Sequence, residues 1–114
     1  DPFTRRPAFH AGVDLVAPHG TPILATADGV VRFAGNKGGY GNVVEVDHGE
    51  GFVTRYGHMS RLAVRSGQKV VAGQTLGGMG STGRSTGTHL HYEVWFNNTV
   101  YDAGRFLKAG ARVQ

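Results

Sequence analysis

Residues 88–94 read Thr88-His89-Leu90-His91-Tyr92-Glu93-Val94, and the run alternates polar and apolar side chains with a period of two. That is the pattern of a half-buried β-strand, in which successive side chains leave opposite faces of the sheet. It predicts a strand over His89 to Phe96, with Leu90, Tyr92 and Val94 on one face and His89, His91 and Glu93 on the other. Paired imidazoles are seldom wanted in a core. Far upstream, His10 and Asp14 are separated by three residues. Two imidazoles and one carboxylate form a ligand set for zinc that leaves a fourth position for water, which is the arrangement of a hydrolytic metal site. Closed structural sites mostly use thiolates, and the chain has no cysteine. One histidine of the His-x-His pair would hold the metal while its neighbour moves protons. Around His10, the residues Gly12, Val13, Pro18 and Gly20 favour a loop or short strand over a helix.

Working outward, short runs rich in Val, Ile, Thr and Phe are separated by glycine-containing turns. Ile23 to Ala27 and Gly29 to Ala34 read as two strands with a hairpin signal at Asp28-Gly29. Gly38-Gly39-Tyr40-Gly41-Asn42 is a turn, Val43 to Asp47 a strand and His48-Gly49-Glu50-Gly51 another turn. Phe52 to Met59 follows as a strand, with Phe52, Thr54, Tyr56 and His58 expected on one side. Lys69 to Val71 and Gln74 to Leu76 are short β runs, and Gly80 to Thr88 is a loop. Asn97-Asn98 turns the last hairpin into Thr99-Val100-Tyr101. Only Gly104 to Ala109 has room for a turn or two of helix. The expectation is an all-β domain of antiparallel, sandwich-like architecture.

Length and composition set limits. The 114 residues are one domain's worth, and 19 glycines against 4 prolines, spread among Val-rich runs, indicate a turn-rich β protein. No apolar run approaches the ~20 residues of a transmembrane helix. The net charge of +4 favours anionic partners. The arginines are scattered, with no basic helix or aromatic-interleaved stripe, so no nucleic-acid partner is expected. Gly78-Met79-Gly80-Ser81-Thr82-Gly83 imitates a nucleotide-binding loop, but such loops need a helix directly after them. Here the loop runs into the His89 strand. His48 is expected to hold its turn by hydrogen bonds and His19 to be exposed. Neither is assigned to the metal.

Five stretches together carry a resemblance: His10-Ala11-Gly12-Val13-Asp14, Gly20-Thr21-Pro22-Ile23, Gly39-Tyr40-Gly41-Asn42, Tyr56-Gly57-His58-Met59-Ser60, and Ser85-Thr86-Gly87-Thr88-His89-Leu90-His91-Tyr92-Glu93. In kind and order they resemble the lysostaphin/LytM-type zinc metallopeptidases, which cut peptide bonds of bacterial peptidoglycan. The resemblance implies a single metallopeptidase domain over residues 1–114, with long loops forming a narrow groove. It implies His10, Asp14 and His91 as zinc ligands, with His58 and His89 as catalytic histidines. Thr88 stands where the family usually has Pro, and Ala103 follows Asp102 where Asp-Pro is common. The opening Asp1-Pro2-Phe3 looks like the start of an excised fragment that lacks the family's first upstream strand.

The implied activity is zinc-dependent endopeptidase hydrolysis of peptidoglycan stem or bridge peptides, at a periplasmic or extracellular, envelope-associated location. Cell-division or cell-wall partner proteins are compatible with it. His89 would take a proton from water and pass it to the leaving amine, and His58 would stabilise the oxyanion, with exchange of the two roles left open. Glu93, sharing the parity of the two histidines, is a candidate to orient a ligand imidazole. Ligand imidazoles must be neutral, so activity is expected to fail in acid. Two rivals stand beside this reading. One is a non-catalytic relative that binds and activates another cell-wall hydrolase. The other is a carrier-type β module with Lys69 as acceptor, which leaves the histidines unexplained.

Overall fold

The computed structural model describes residues 12–85 and 87–101. His10 and the Gly104 to Ala109 segment lie outside the described residues. The described chain forms nine strands: β1 (Val13–Leu15), β2 (Pro22–Leu24), β3 (Gly29–Asn36), β4 (Asn42–Gly49), β5 (Phe52–Leu62), β6 (Lys69–Val70), β7 (Thr75–Met79), β8 (Leu90–Phe96) and β9 (Thr99–Tyr101), with a 3-10 turn at Gly38–Tyr40. The strands join in the order β1-β8-β5-β4-β3-β6, while β7 bridges β2 and β5, and β9 pairs with β8. Every pairing is antiparallel. Among the described residues no helix is long and apolar enough to cross a membrane.

The centre of the sheet consists of β4, β5 and β8, and its register explains both of its faces. Val44 pairs with Tyr56 and Tyr56 with Tyr92; two positions on, Val46 pairs with Thr54 and Thr54 with Val94. Directly opposed residues share a face, and Val44, Val46, Tyr56, Tyr92 and Val94 all belong to one core cluster with Ile23, Val31, Met59 and Leu76. The alternate row is Glu45, Arg55 and Glu93, each directly opposite the next. The apolar face expected for the His89 strand is therefore observed: Leu90, Tyr92 and Val94 are buried in the core.

The Asn97-Asn98 hairpin forms as expected, with φ of 49° and 65° at the two asparagines. Two positive φ values in a two-residue loop are the type I′ requirement, and asparagine tolerates them. By contrast, no hairpin forms at Asp28-Gly29. Strand β2 pairs with β7, and β3 pairs with β4 and β6. The Asp28 side chain instead accepts the Ala72 backbone N–H at 2.8 Å, and its carbonyl accepts from His48 Nδ1 at 2.7 Å. Those bonds tie the Asp28 corner to two other segments. His48 does hold the chain by hydrogen bonds, its Nε2 reaching Thr54 Oγ1 at 2.7 Å. It does so from within β4, because the turn itself is confined to Glu50-Gly51. His19 is exposed.

Candidate active site

The pairing of β1 with β8 sets Asp14 directly opposite His91. Residues 77 apart in sequence are thus brought into contact: Asp14 Oδ1 lies 2.8 Å from His91 Nδ1. The same oxygen is 3.7 Å from His89 Nε2. Gly12 is what lets β1 come this close. A Cβ at position 12 would collide with the His91 ring, so the glycine between His10 and Asp14 is a steric necessity.

His58 reaches the same place by an irregularity. Strict alternation along β5 would put it on the core side with Tyr56, as its spacing in the sequence suggests. Between the Tyr56–Val44 and Met59–Asn42 pairs, however, Gly57 and His58 oppose the single residue Val43. This is a β-bulge, which bends a strand and re-aims its side chains. His58 also has φ of 61°, a left-handed conformation that costs a non-glycine residue energy and is often found at functional sites. Its ring ends 4.7 Å from that of His89 and 6.0 Å from that of His91, centroid to centroid. The expectation that His58 shares the face of Thr54 and Tyr56 is therefore corrected.

Each histidine is held through one ring nitrogen. His58 Nδ1 donates to the Thr82 carbonyl at 2.7 Å, and His89 Nδ1 donates to the Gly87 carbonyl at 2.8 Å. Since a carbonyl only accepts, both Nδ1 atoms carry the proton and neutral rings present bare Nε2 atoms. His91 is arranged the opposite way. Its Nε2–H donates to Glu93 Oε2 at 2.8 Å, and Nδ1 faces Asp14. The hydrogen bond to Glu93 is the main reason the His91 pKa lies above the ordinary imidazole value; burial opposes it, and Asp14 adds to it. Burial alone would raise the Glu93 pKa. Its bonds from His91, Trp95 and Tyr40 outweigh that and keep the carboxyl below its usual value. Tyr40 is pushed up, by burial first and then by Glu93.

Thr82 and Arg55 are participants that the sequence did not single out, and Tyr40, from one of the stretches that carry the family resemblance, joins them. The Thr82 hydroxyl donates to the Met59 carbonyl at 2.8 Å and accepts the Asn42 N–H at 3.0 Å. Gly41, at φ 67°, packs so tightly on Thr82 that a Cβ there would strike its carbonyl group. Thus the Gly38–Asn42 turn clamps the loop that supports His58. In sequence, Thr82 is one of several hydroxyl residues in a glycine-rich loop, and nothing local marks it. The Tyr56 hydroxyl, by contrast, bonds Thr26 and Thr54 within the core, so Tyr56 packs beneath the site.

Asp14, His58, His89 and His91 therefore converge, while His10 is outside the described residues. Among those described, no three His, Asp or Glu side chains form a ready metal-binding group. The donor chemistry of the pair that is seen does fit a metal. A carboxylate faces Nδ1 of an imidazole whose other nitrogen is fixed by a second carboxylate, which is how metal-bound histidines are normally oriented.

An all-β scaffold gathering three imidazoles and a carboxylate at one end of its central strands defines a metallopeptidase-like domain. The chain belongs to peptidase family M23, whose sequence model matches residues 8–103. It is 48% identical over 93 residues to the peptidoglycan DD-endopeptidase ShyA of Vibrio cholerae, covering 82% of this chain and 22% of that protein. Its structure resembles lysostaphin of Staphylococcus simulans, with a TM-score of 0.83 and 36% identity over 92% of this chain and 46% of the other. It also resembles a zinc-containing peptidase of Vibrio cholerae, with a TM-score of 0.79 and 39% identity over 90% and 32% of the two chains. The expected kinship with lysostaphin-type enzymes is confirmed, and family membership supports a zinc cofactor in general. The chain spans about a fifth of the length of the curated relatives it matches first, 20% and 22% for two of them.

Proposed function

We propose that this domain is a zinc-dependent endopeptidase that hydrolyses peptide cross-links or bridges of bacterial peptidoglycan, acting outside the cytoplasm. The single observation that carries the reading is the convergence of Asp14, His89, His91 and His58 on one spot, with family membership behind it. His91 Nδ1 and the Asp14 carboxylate would hold the metal, joined by His10 as the third ligand. A bound zinc ion supplies Lewis acidity that polarises the scissile carbonyl and makes water nucleophilic near neutral pH.

The chain's own residues account for the proton traffic. His89, with its proton fixed on Nδ1, offers Nε2 as the base that accepts a proton from the attacking water and returns it to the leaving amine. His58 is held the same way through Thr82, so its neutral ring also offers a base. It can donate a hydrogen bond to a developing oxyanion from Nε2 only once protonated. The roles of the two histidines are therefore set by which one carries the additional proton. Glu93 holds the His91 ring, and Gly12 gives it room.

Digestion of purified cell walls of differing cross-link chemistry, with product masses read out and a chelator control, tests the proposal. Release of cross-link-derived peptides that stops on chelation is the expected result. A folded protein that retains no zinc after dialysis, and cuts nothing when zinc is restored, would favour a module that activates another hydrolase. The same reading admits partner proteins of the cell-wall or cell-division machinery.

A further inference from the structure

Behind His91 the polar face of the sheet carries a continuous row of charge. Arg55 lies between Glu45 and Glu93 on adjacent strands. Its Nε donates to Glu45 Oε2 at 2.8 Å and its Nη1 to Glu93 Oε1 at 3.1 Å. Its guanidinium sits over the rings of Tyr40 and Trp95, 4.8 and 4.9 Å from their centroids. Those two residues also hold Glu93: Trp95 Nε1 donates to Oε1 at 2.9 Å, and the Tyr40 hydroxyl lies 3.2 and 3.0 Å from the two carboxylate oxygens. With Oε1 so occupied, Oε2 is turned toward His91 Nε2 at 2.8 Å.

Stability alone is a poor reason for this arrangement. A buried ion pair pays a desolvation penalty that apolar residues of similar volume avoid, and Glu45 is only 1% exposed. A planar guanidinium that donates one bond to each of two carboxylates and lies over two rings does provide one fixed geometry. The row ends on the imidazole that the proposed function assigns to the metal. We propose that Arg55 is a positioning residue for His91: it acts through Glu93, fixing the carboxylate so that His91 keeps its proton on Nε2 and turns Nδ1 to the metal. This inference rests on the metal-site reading above.

The test measures zinc retention against a competing chelator for wild type, Glu93→Gln, Arg55→Lys and the double variant, and follows the exchange rate of the His91 Nε2–H by NMR in each. Asp14→Asn serves as the control for the metal site. Loss of a partner behind a ligand typically weakens metal affinity about 10- to 100-fold. That range is expected for Glu93→Gln, with a smaller loss for Arg55→Lys and faster Nε2–H exchange in both. Because Arg55 works through Glu93, the double variant should be no weaker than Glu93→Gln alone. Should Arg55→Lys fail to fold, Trp95→Phe removes another bond to the same oxygen and is held to the same criteria. Wild-type retention and exchange in the single variants, or losses that multiply in the double variant, would overturn the proposal. If Asp14→Asn also retains zinc normally, the metal-site reading itself fails and this inference falls with it.

Discussion

The two faces of the β4-β5-β8 sheet are built from the same three strands, one residue out of step. On one face Val44, Tyr56 and Tyr92 stand in a row, all essentially inaccessible to water. On the other, Glu45, Arg55 and Glu93 occupy the next row, with His91 beyond it. The first row holds the fold together by close packing. The second is polar and highly bonded, and no buried side-chain polar atom among the described residues lacks a hydrogen-bond partner. Its value lies in directing groups. Changes on the first face should therefore lower stability with the chemistry intact, whereas changes beside His91 on the second should act mainly on the chemistry.

The largest effects belong to the polar face. Gly12→Ala should drive the His91 ring from its place, and zinc retention and cleavage should both fall by orders of magnitude while the melting temperature moves little. Metal analysis on dialysed protein, together with calorimetry, checks this. His89→Ala should lower turnover by about 10²- to 10⁴-fold, the usual worth of general acid–base catalysis, with zinc still bound. Retention of wild-type turnover would remove His89 from its role.

On the apolar face, Tyr92→Ala should cost about 3–5 kcal/mol, as large-to-small aromatic deletions in a core do. Denaturant unfolding measures it. Whatever fraction stays folded should bind zinc normally; a parallel loss of zinc affinity would show that the two faces are not separable.

A smaller effect concerns pH. Burial would raise the Glu45 pKa, yet its bonds from Lys37 and Arg32 and the nearby charge of Arg55 hold it below the ordinary carboxylate value of 4.5. A depressed folded-state pKa means that the stabilisation is complete above the unfolded value and is lost as pH falls through the folded one. Melting temperature should thus decline below about pH 4.5, and Glu45→Gln should make that decline shallower. The smallest change expected is at the β8-β9 turn. Asn98→Gly relieves a φ of 65° and should shift stability by under about 1 kcal/mol, with no effect on zinc.

What the sequence disclosed was largely local. Leu90, Tyr92 and Val94 announced a buried strand face because alternation is a property of the strand itself. Asn97-Asn98 announced its hairpin because the two residues carry the turn's conformation. The ligand and histidine assignments came from resemblance to a known family, and four of those five residues lie together. Three features were not legible. The Asp28-Gly29 corner looked like a hairpin, yet it is governed by bonds to His48 and Ala72, distant in sequence. The bulge at Gly57-His58 depends on the register with β4. Arg55 looked like one of many scattered arginines, since only the β4-β5-β8 register reveals that it stands between two glutamates. Each miss concerns strand pairing, which no short window of sequence contains.

The most direct test of the central claim is a crystal structure of the zinc-loaded domain that identifies which atoms contact the ion. Zinc is expected on His91 Nδ1 and the Asp14 carboxylate together with His10, with His91 Nε2 still bonded to Glu93 and the Nε2 atoms of His58 and His89 facing the same spot. A zinc ion bound through His91 Nε2, or held by residues elsewhere with Asp14 turned away, would contradict the claim.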